Sequence, residues 1–406
     1  MAVALDSAAQ NRSMLGRLRV WFATHRYESS GDAPQKRDLR LDLLRGFCVF
    51  VMVVDHVGGE SSWLYWLTGG NRLVVSAAEC FVLLSGVSMG MVHHVTIRTH
   101  GVRAMFGRVF GRAWLLYAVT VVLTIAFAAI STALGDPYID TLTPAKSRAD
   151  FAFSVITFHR TYSLTDVLVL YTLLVIMAGP LLWLIARGHS GPVLTASIAT
   201  WAIFQVWPER IPRAWEITDG GFPFSAWQLI FVVGLLVGYH RARLAPYLRP
   251  RVLVGFGAVF VVVLLGVRLA VKYLLAPDLD PVDIHELLFD KNEARVGRVL
   301  ALLGATSFAY SGLTLLWTPF RRAAAWLLLP MGRSALFAYG VQLFVVAFFD
   351  SDLMAPVRLE RENALFQATA VGMVWLACLL QPRVMRRYRE WFARPSAPAT
   401  ARSPSS

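Results

Sequence analysis

The sequence predicts an all-α fold: a polytopic integral membrane helical bundle of about ten transmembrane helices, with both termini cytoplasmic. Of the 406 residues, 56% are hydrophobic and only 16% are charged, and the mean hydropathy is +0.53. Apolar runs of about 20 residues, the length that spans a bilayer, recur along the chain. Basic loops alternate with acidic loops, and basic loops favour the cytoplasmic side of a membrane.

The apolar runs divide the chain into a membrane domain and two tails. The predicted spans cover about 42–60, 73–93, 109–134, 164–187, 192–207, 225–241, 252–275, 297–318, 325–349 and 364–385. We predict one transmembrane domain over 39–387. The cytoplasmic segment 1–38 precedes it and has, over 16–26, the pattern of an interfacial helix. The low-complexity segment 388–406 is predicted to be a disordered cytoplasmic tail.

The charge pattern indicates where the protein resides and what surrounds it. The net charge of +13 comes mainly from Lys and Arg in every second loop, so membrane topology explains it without nucleic acid. We therefore predict a multi-pass protein of the bacterial inner (cytoplasmic) membrane, with the lipid bilayer as a partner and no nucleic acid. The sequence leaves the oligomeric state open, a homo-oligomer included.

Arg45 and His56 are eleven positions apart on the first apolar run. Eleven steps of about 100° bring a helix back to within about 20° of its starting direction. Both side chains would then lie on one face, about 16 Å apart along the axis. Because an ionisable group inside a bilayer costs about 2.5–3.5 kcal/mol or more, it usually marks a functional path. We predict Arg45 near the cytosol and His56 in the outer third of the membrane.

Two carboxylates are candidates to orient the His56 imidazole. Glu79 enters the second span from its outer end and should reach a depth similar to that of His56. A carboxylate beside an imidazole can fix its tautomer and raise its basicity, so Glu79 is the first candidate and the adjacent Asp55 the second. Structural alternatives stay open: His56 could bond a neighbouring helix, Glu79 could be a structural partner, and Asp42 could pair with Arg45.

The outer side of the predicted bundle offers candidate ligand-binding residues. Gln228 is expected to hydrogen-bond a hydroxylated ligand, and Trp227 to stack on a sugar. An interfacial tryptophan beside a helix-start glutamine is the structural alternative. His159 and Asp166 lie at the start of the fourth span and are further candidates for the external surface.

The inner side carries candidate phosphate-binding residues. We predict that phosphates are held by Arg333, Arg321 and Arg322 together with Arg45, because one guanidinium group can donate two parallel hydrogen bonds to a phosphate. The positive-inside bias alone is the alternative explanation. No zinc-type ligand spacing occurs, so no metal site is predicted.

These positions suit acyl transfer across the membrane. An acyl-CoA would bind from the cytosol, with its phosphates on arginines and its pantetheine arm inside the bundle. His56 would act as general base on an external hydroxyl, which attacks the thioester carbonyl, so no covalent enzyme intermediate is required. A transporter or flippase of a small polar or glycan substrate is the alternative, and a structural or sensor membrane protein is the third possibility.

The residues that carry this chemistry also resemble a known family. The segments RDLRLDLLRGFCVFVMVVDH and AAECFVLLSG are similar to the osmoregulated periplasmic glucan C (OpgC) family, which is related to the acyltransferase-3 and wider transmembrane acyltransferase proteins. The later segments HRTYSLTDVLVLY, FPFSAWQLIFVVG and LPMGRSALFAYG resemble it as well. The resemblance implies transfer of a succinyl group, with acetyl as the alternative, from cytosolic acyl-CoA to hydroxyls of a periplasmic glucan. It also implies that His56 is the catalytic base, Arg45 the motif arginine and Glu79 the motif acid.

Overall fold

The protein is described by a computed structural model over residues 21, 24, 26–27, 38–58, 62–68, 74–134, 146–161, 165–208, 222–247, 249–270, 288–350 and 364–392. Within these ranges the regular elements are helices, which confirms the all-α prediction for this part of the chain. They are α1 (Leu39–Val57), α2 (Trp63–Thr68), α3 (Ala77–Leu134), α4 (Arg148–Ile156), α5 (Asp166–Ala186), α6 (Ser190–Val206), α7 (Phe224–Tyr239), α8 (Arg241–Leu244), α9 (Pro250–Ala270), α10 (Val296–Leu315), α11 (Trp317–Arg333), α12 (Ala335–Asp350) and α13 (Ala364–Phe392).

Several of these helices could cross a membrane by length and composition. Among the described residues, four do so: Ala77–Ala133, Asp166–Ala186, Val296–Leu315 and Ala364–Arg386. α11 and α12 meet the same criterion together, as a bent fifth span. The fold is thus consistent with a helical membrane protein. The ten spans and the cytoplasmic termini stay predictions.

The second and third predicted spans both lie in α3. The backbone of this helix leaves helical geometry at Gly101, with φ 79° and ψ 174°. Glycine adopts this conformation at little cost because it has no Cβ. The residues before and after Gly101 therefore form two helical segments joined at a kink, and the loop expected between them is reduced to this one residue.

The ninth predicted span is divided in the structure. A single helix over 325–349 was expected, but α11 ends at Arg333, α12 begins at Ala335, and their axes differ by 93°. Pro330 lacks the backbone N–H that a continuing helix would use, and the Ser334 hydroxyl donates to the Pro330 carbonyl at 2.8 Å. The predicted span is therefore bent, because this local bonding ends α11 at the corner.

The predicted tails fall largely outside the described residues. Of the expected interfacial helix 16–26, only Trp21 and Thr24 are described as helical. At the other end, α13 continues to Phe392, past the tail boundary predicted at 387. Residues 393–406 lie outside the described part of the chain.

α1 is the central helix of the bundle. It contacts α2, α3, α10, α11, α12 and α13. Most of its side chains are buried, among them the charged Arg40 and Asp42. The Asp38 carboxylate caps its N-terminus by accepting a hydrogen bond from the Arg40 backbone N–H. Arg45 and His56 are therefore carried by a helix that is enclosed by neighbours.

Glycines allow α3 and α7 to approach at backbone distance. A Cβ placed on Gly238 of α7 would lie 2.7 Å from the carbonyl carbon of Val87 on α3 and would overlap its oxygen. Gly234 meets α3 in the same way, and Gly86 and Gly90 do so from the α3 side. Both pairs have the small-xxx-small spacing that brings membrane helices into close contact.

α1 and α11 are joined by the same device. A Cβ placed on Gly332 of α11 would lie 2.8 Å from the backbone nitrogen of Gly46 and would overlap the carbonyl of Asp42. Gly46 in turn faces the backbone of Leu328. This contact fixes α11 against α1 at the level of Arg45.

Candidate functional site

His56 lies in the last turn of α1 and is partly buried. Its Nδ1 atom is 3.1 Å from Nε2 of Gln342, a fully buried residue of α12. Gln342 was not predicted, because nothing in the sequence links position 342 to position 56. The structure thus places an amide, and not a carboxylate, beside the imidazole.

Glu79 is fully buried and has other partners. Its Oε1 accepts a hydrogen bond from Nε of Arg298 on α10, and its Oε2 accepts one from the Ser76 backbone N–H at 3.0 Å. Arg298 also donates from Nη1 to the Phe289 carbonyl at 3.0 Å. The expected contact between Glu79 and His56 is not formed in the structure. The carboxylate instead compensates Arg298, since a buried charge without a partner is costly.

The two other predicted carboxylates are also engaged. Asp55 accepts a hydrogen bond at 2.8 Å from the Thr68 hydroxyl on α2. Asp166 accepts one at 2.7 Å from the Val167 backbone N–H at the start of α5, where the helix dipole favours a negative charge. Asp55 therefore does not take the predicted orienting role toward His56, and the external ligand contact predicted for Asp166 stays a prediction.

Lys291 brings these groups into one electrostatic environment. Its positive charge lies within interaction range of His56, Asp55, Glu79 and Asp166. The side chain is exposed, and its Nζ is 5.9 Å from the Phe222 ring centre. We name this set, together with Arg298 and Gln342, the His56 cluster. The sequence analysis predicted four of its members and missed Lys291, Arg298 and Gln342.

Trp227 helps to hold the segment that carries Lys291. Its side chain is 1% exposed, and its indole N–H donates to the Asn292 carbonyl at 2.9 Å. Trp201 donates likewise to the Ala294 carbonyl at 2.9 Å. The predicted stacking of Trp227 on a sugar is not available in this arrangement, because the ring is enclosed. Its contact instead fixes the segment 288–295 over the bundle.

Gln228 and His159 lie apart from the His56 cluster. Gln228 is buried, accepts from the Ser197 hydroxyl at 2.6 Å and donates to the Ser197 carbonyl at 2.9 Å, which joins α7 to α6. Both ends of its amide are used between helices, so the predicted ligand contact has no open group. His159 follows α4, is exposed, and has its Nδ1 2.8 Å from the Thr157 hydroxyl.

Arg45 makes the pairing that the sequence left open as an alternative. Its Nη1 is 3.8 Å from an Asp42 oxygen, and its Nη2 donates to the Leu84 carbonyl on α3 at 3.2 Å. The predicted pair of Asp42 with Arg45 is therefore confirmed. The guanidinium is partly exposed and links α1 to α3.

The other predicted arginines divide into two places. Gly332 packs against α1 beside Arg45, which brings the next residue, Arg333, to the same level of the bundle. Arg321 and Arg322 are exposed and lie about 17 Å from Arg333 along α11, at 1.5 Å per residue. The four arginines therefore do not form one group, and Arg333 lies nearer to Arg45 than Arg321 and Arg322 do.

A cavity of about 160 Å³ lies between α1, α3, α7, α9 and α10. Its wall is mostly aliphatic, and its polar lining residues are Arg241, Thr306, Ser307 and Tyr310. Arg241 appeared in the sequence only as part of a basic loop. The structure makes it a wall residue of this cavity.

A buried polar network, which we name the Asp38 cluster, closes one end of the cavity. Asp38 accepts hydrogen bonds from Arg241 at 2.6 Å and from the Tyr310 hydroxyl at 3.0 Å. Arg40 donates to the same carboxylate at 2.8 Å, and its guanidinium lies 4.1 Å and 4.4 Å from the ring centres of Tyr27 and Tyr310. Burial raises the pKa of the Asp38 carboxyl, but Arg40 and Arg241 lower it by more, so the pKa is below its usual value.

The opposite end of the cavity approaches the His56 cluster. Its lining residue Thr306 is 3.9 Å from the Cys80 sulfur, and Leu83 lies one helical turn from Glu79. His56 is not a lining residue of this cavity. The cavity thus extends along α3 from the Asp38 cluster toward the His56 cluster. Among the described residues, no group of three or more His, Cys, Asp or Glu could hold a metal ion.

The fold and these two clusters are consistent with a helical membrane protein whose central helix links two polar regions. A family model described as OpgC protein matches residues 37–386, nearly the whole chain. The chain therefore belongs to the OpgC family, and the resemblance noted in the sequence is confirmed. No curated protein and no solved structure matches the chain. Membership of this family indicates a membrane acyltransferase-like role.

Proposed function

We propose that the protein is an integral membrane O-acyltransferase that moves a succinyl group from cytosolic acyl-CoA to hydroxyls of an extracytoplasmic glucan. The contact between Gln342 and His56 is the observation that supports this proposal most directly. It engages Nδ1, so Nε2 is the ring nitrogen left to meet a substrate. In a chain of the OpgC family, a partly buried imidazole held in this way suits a general base.

The proposed reaction needs no covalent enzyme intermediate. Nε2 of His56 takes the proton of an acceptor hydroxyl while that oxygen attacks the carbonyl carbon of the thioester. The carbon–sulfur bond then breaks, and the leaving thiolate takes the proton from Nε2. Lys291 supplies a positive charge near the negative charge that develops on the carbonyl oxygen.

The donor would approach from the side of the Asp38 cluster. The aliphatic wall of the cavity suits a flexible pantetheine arm, and Arg241, Arg45 and Arg333 would bind its phosphates. The thioester would then lie beyond Thr306, toward the His56 cluster. With the protein oriented in this way in the inner membrane of a bacterium, both termini would lie in the cytoplasm and the segment 288–295 on the outer side of the membrane.

The acceptor would approach from the opposite side. Asp166, within range of Lys291, and His159, exposed after α4, would bind the incoming glycan. Trp227 and Gln228 act on the acceptor only indirectly in this proposal, through the segments that they hold.

Thioester cleavage by purified protein in lipid bilayers tests this function. We expect release of free thiol from succinyl-CoA, and addition of the acyl mass to a glucan oligosaccharide. Acetyl-CoA serves as the competing donor. His56→Ala should lower the rate by about 100-fold or more, the usual contribution of a positioned base. His100→Ala, which changes an exposed histidine of α3, is the matched control. Full activity in His56→Ala would end its assignment as the base.

The corner between α11 and α12 favours a second candidate, a transporter or flippase. Transporters often use broken helices near their substrate sites, and these two helices meet at 93°. Uptake of a glycan into vesicles without thioester loss would support this candidate over the acyltransferase.

A further inference from the structure

The buried amide of Gln342 is not explained by packing alone. Its side chain is fully buried in α12, and one of its two polar atoms, Oε1, has no hydrogen-bond partner among the described residues. A buried polar group left without a partner destabilises a fold, whereas a leucine of similar size would fill the space without that cost. Among the described residues, this side chain has a polar contact with Nδ1 of His56, at 3.1 Å.

The carboxylates that could compete for this imidazole are held elsewhere. Asp55 is bonded to Thr68, and Asp166 to the Val167 backbone. Glu79 is paired with Arg298. Lys291, in the segment 288–295, lies within electrostatic range of His56. The ring is therefore oriented by a neutral group, which fixes its position without adding a negative charge.

The amide can meet the imidazole in two ways. With Nε2 of Gln342 toward the ring, the amide donates to a bare Nδ1, and the ring proton lies on the histidine Nε2. A half-turn of the amide exchanges its two polar atoms, so that Oε1 accepts the proton of Nδ1–H and the histidine Nε2 is bare. Only the second arrangement leaves a lone pair at Nε2 that can take a proton from a hydroxyl.

We propose that Gln342 is a positioning residue that accepts the Nδ1 proton of His56 and thereby selects the imidazole tautomer whose Nε2 acts as base. The inference rests on the acyl transfer proposed above, because it assigns a base role to His56. It adds a residue from a distant helix, which holds the ring without touching donor or acceptor.

The tautomer can be measured without any substrate. Nitrogen-15 spectra of histidine-labelled protein in lipid report which ring nitrogen carries the proton, and the His56 signals are those lost in His56→Ala. We expect the wild type to carry its proton on Nδ1. Gln342→Leu should give a mixture of tautomers, while Gln342→Glu, which keeps an acceptor oxygen, should retain the proton on Nδ1. A wild-type proton on Nε2, or an unchanged spectrum in Gln342→Leu, would overturn the proposal.

Kinetics supply a second readout. Gln342→Leu should lower kcat for thioester cleavage by about tenfold to a hundredfold, a part of the 10²–10⁴-fold typical of general base catalysis, with KM for acyl-CoA unchanged. Gln342→Glu should recover part of the loss. A raised KM for acyl-CoA with kcat unchanged would contradict a positioning role. If Gln342→Leu fails to fold, the wild-type spectrum and Gln342→Glu still decide the question.

The matched control is another fully buried glutamine. Gln367 of α13 bonds the Ser62 hydroxyl and the Gly58 carbonyl. Gln367→Leu should reduce the yield of folded protein but leave the tautomer and the kcat of the folded fraction unchanged. An equal change of tautomer in this variant would overturn the specific role of Gln342. If the spectra follow our expectation while the wild type cleaves no thioester, the acyltransferase proposal fails and the Gln342 contact stands.

Discussion

The close approach of α3 and α7 predicts that a single methyl group at Gly238 destabilises the fold. In Gly238→Ala, the added Cβ would lie 2.7 Å from the carbonyl carbon of Val87, whereas ordinary contact begins at 3.4 Å. The two backbones would have to separate by at least 3.4 − 2.7, or about 0.7 Å, and by more to clear the carbonyl oxygen. Such a shift moves both helices along their whole contact.

The expected cost follows from overpacking in other proteins. Inserting a methyl group into a packed core costs about 1–3 kcal/mol. Here backbone meets backbone and no side chain can rotate away, so we expect about 3 kcal/mol. This exceeds the gain of about 1 kcal/mol that alanine brings over glycine inside a helix.

The measurement compares two glycines in the same protein. Around Gly372 of α13, nothing lies within 4 Å of the position that a Cβ would take. Thermal unfolding in detergent, followed by tryptophan fluorescence, should show Gly238→Ala melting several degrees below the wild type. Gly372→Ala should melt at or above the wild-type temperature. Equal midpoints for the two variants would refute the backbone contact between α3 and α7.

Three further substitutions test the polar regions. Asp38→Asn should lower the melting temperature at neutral pH, because it leaves Arg40 and Arg241 without their carboxylate. Since the pKa of Asp38 is lowered in the folded protein, the stability that its charge contributes is present above about pH 4 and is lost as the pH falls further. The melting temperatures of the wild type and the variant should therefore converge in acid. A constant difference down to pH 2 would contradict that assignment. Arg45→Ala should raise KM for acyl-CoA by about tenfold or more, as expected for a charged hydrogen bond worth about 1.5–3 kcal/mol, and unchanged kinetics would leave Arg45 a structural link to Leu84. Lys291→Met should lower kcat by about tenfold or more while leaving stability unchanged, since its side chain is exposed, and an unaltered kcat would exclude it from the reaction.

The part of the site that lies along one helix could be predicted from the sequence. Arg45 and His56 share α1, so helical periodicity alone relates them. The lateral partners could not be predicted, because Gln342 and Arg298 come from helices far along the chain and no local pattern fixes which side chains meet between helices. Glu79 illustrates the difference: its depth could be estimated, but its pairing with Arg298 depends on how α10 packs.

The fold was predictable to a similar extent. Apolar runs indicate helices, and the pairs Gly86–Gly90 and Gly234–Gly238 show the spacing of close helix contacts in the sequence itself. The position of the corner at Ser334 was not predicted. Hydropathy continues through it, and Pro330 lies a full turn before the break, so only the local bonding reveals where α11 ends.

The corner at Ser334 has a mechanical consequence for α1. α11 contacts α1 near one end through Gly332 and Gly46. α12, which follows the corner, contacts the opposite end of α1 through Gln342. The bent pair α11–α12 is therefore attached to α1 at two separate points. If the angle between α11 and α12 changed by a few degrees, the contact of Gly332 with Asp42 would be kept while the Gln342 amide moved away from the His56 imidazole. A change of angle at Ser334 would therefore alter the hydrogen bond to the proposed base without moving Arg45 at the other end of α1.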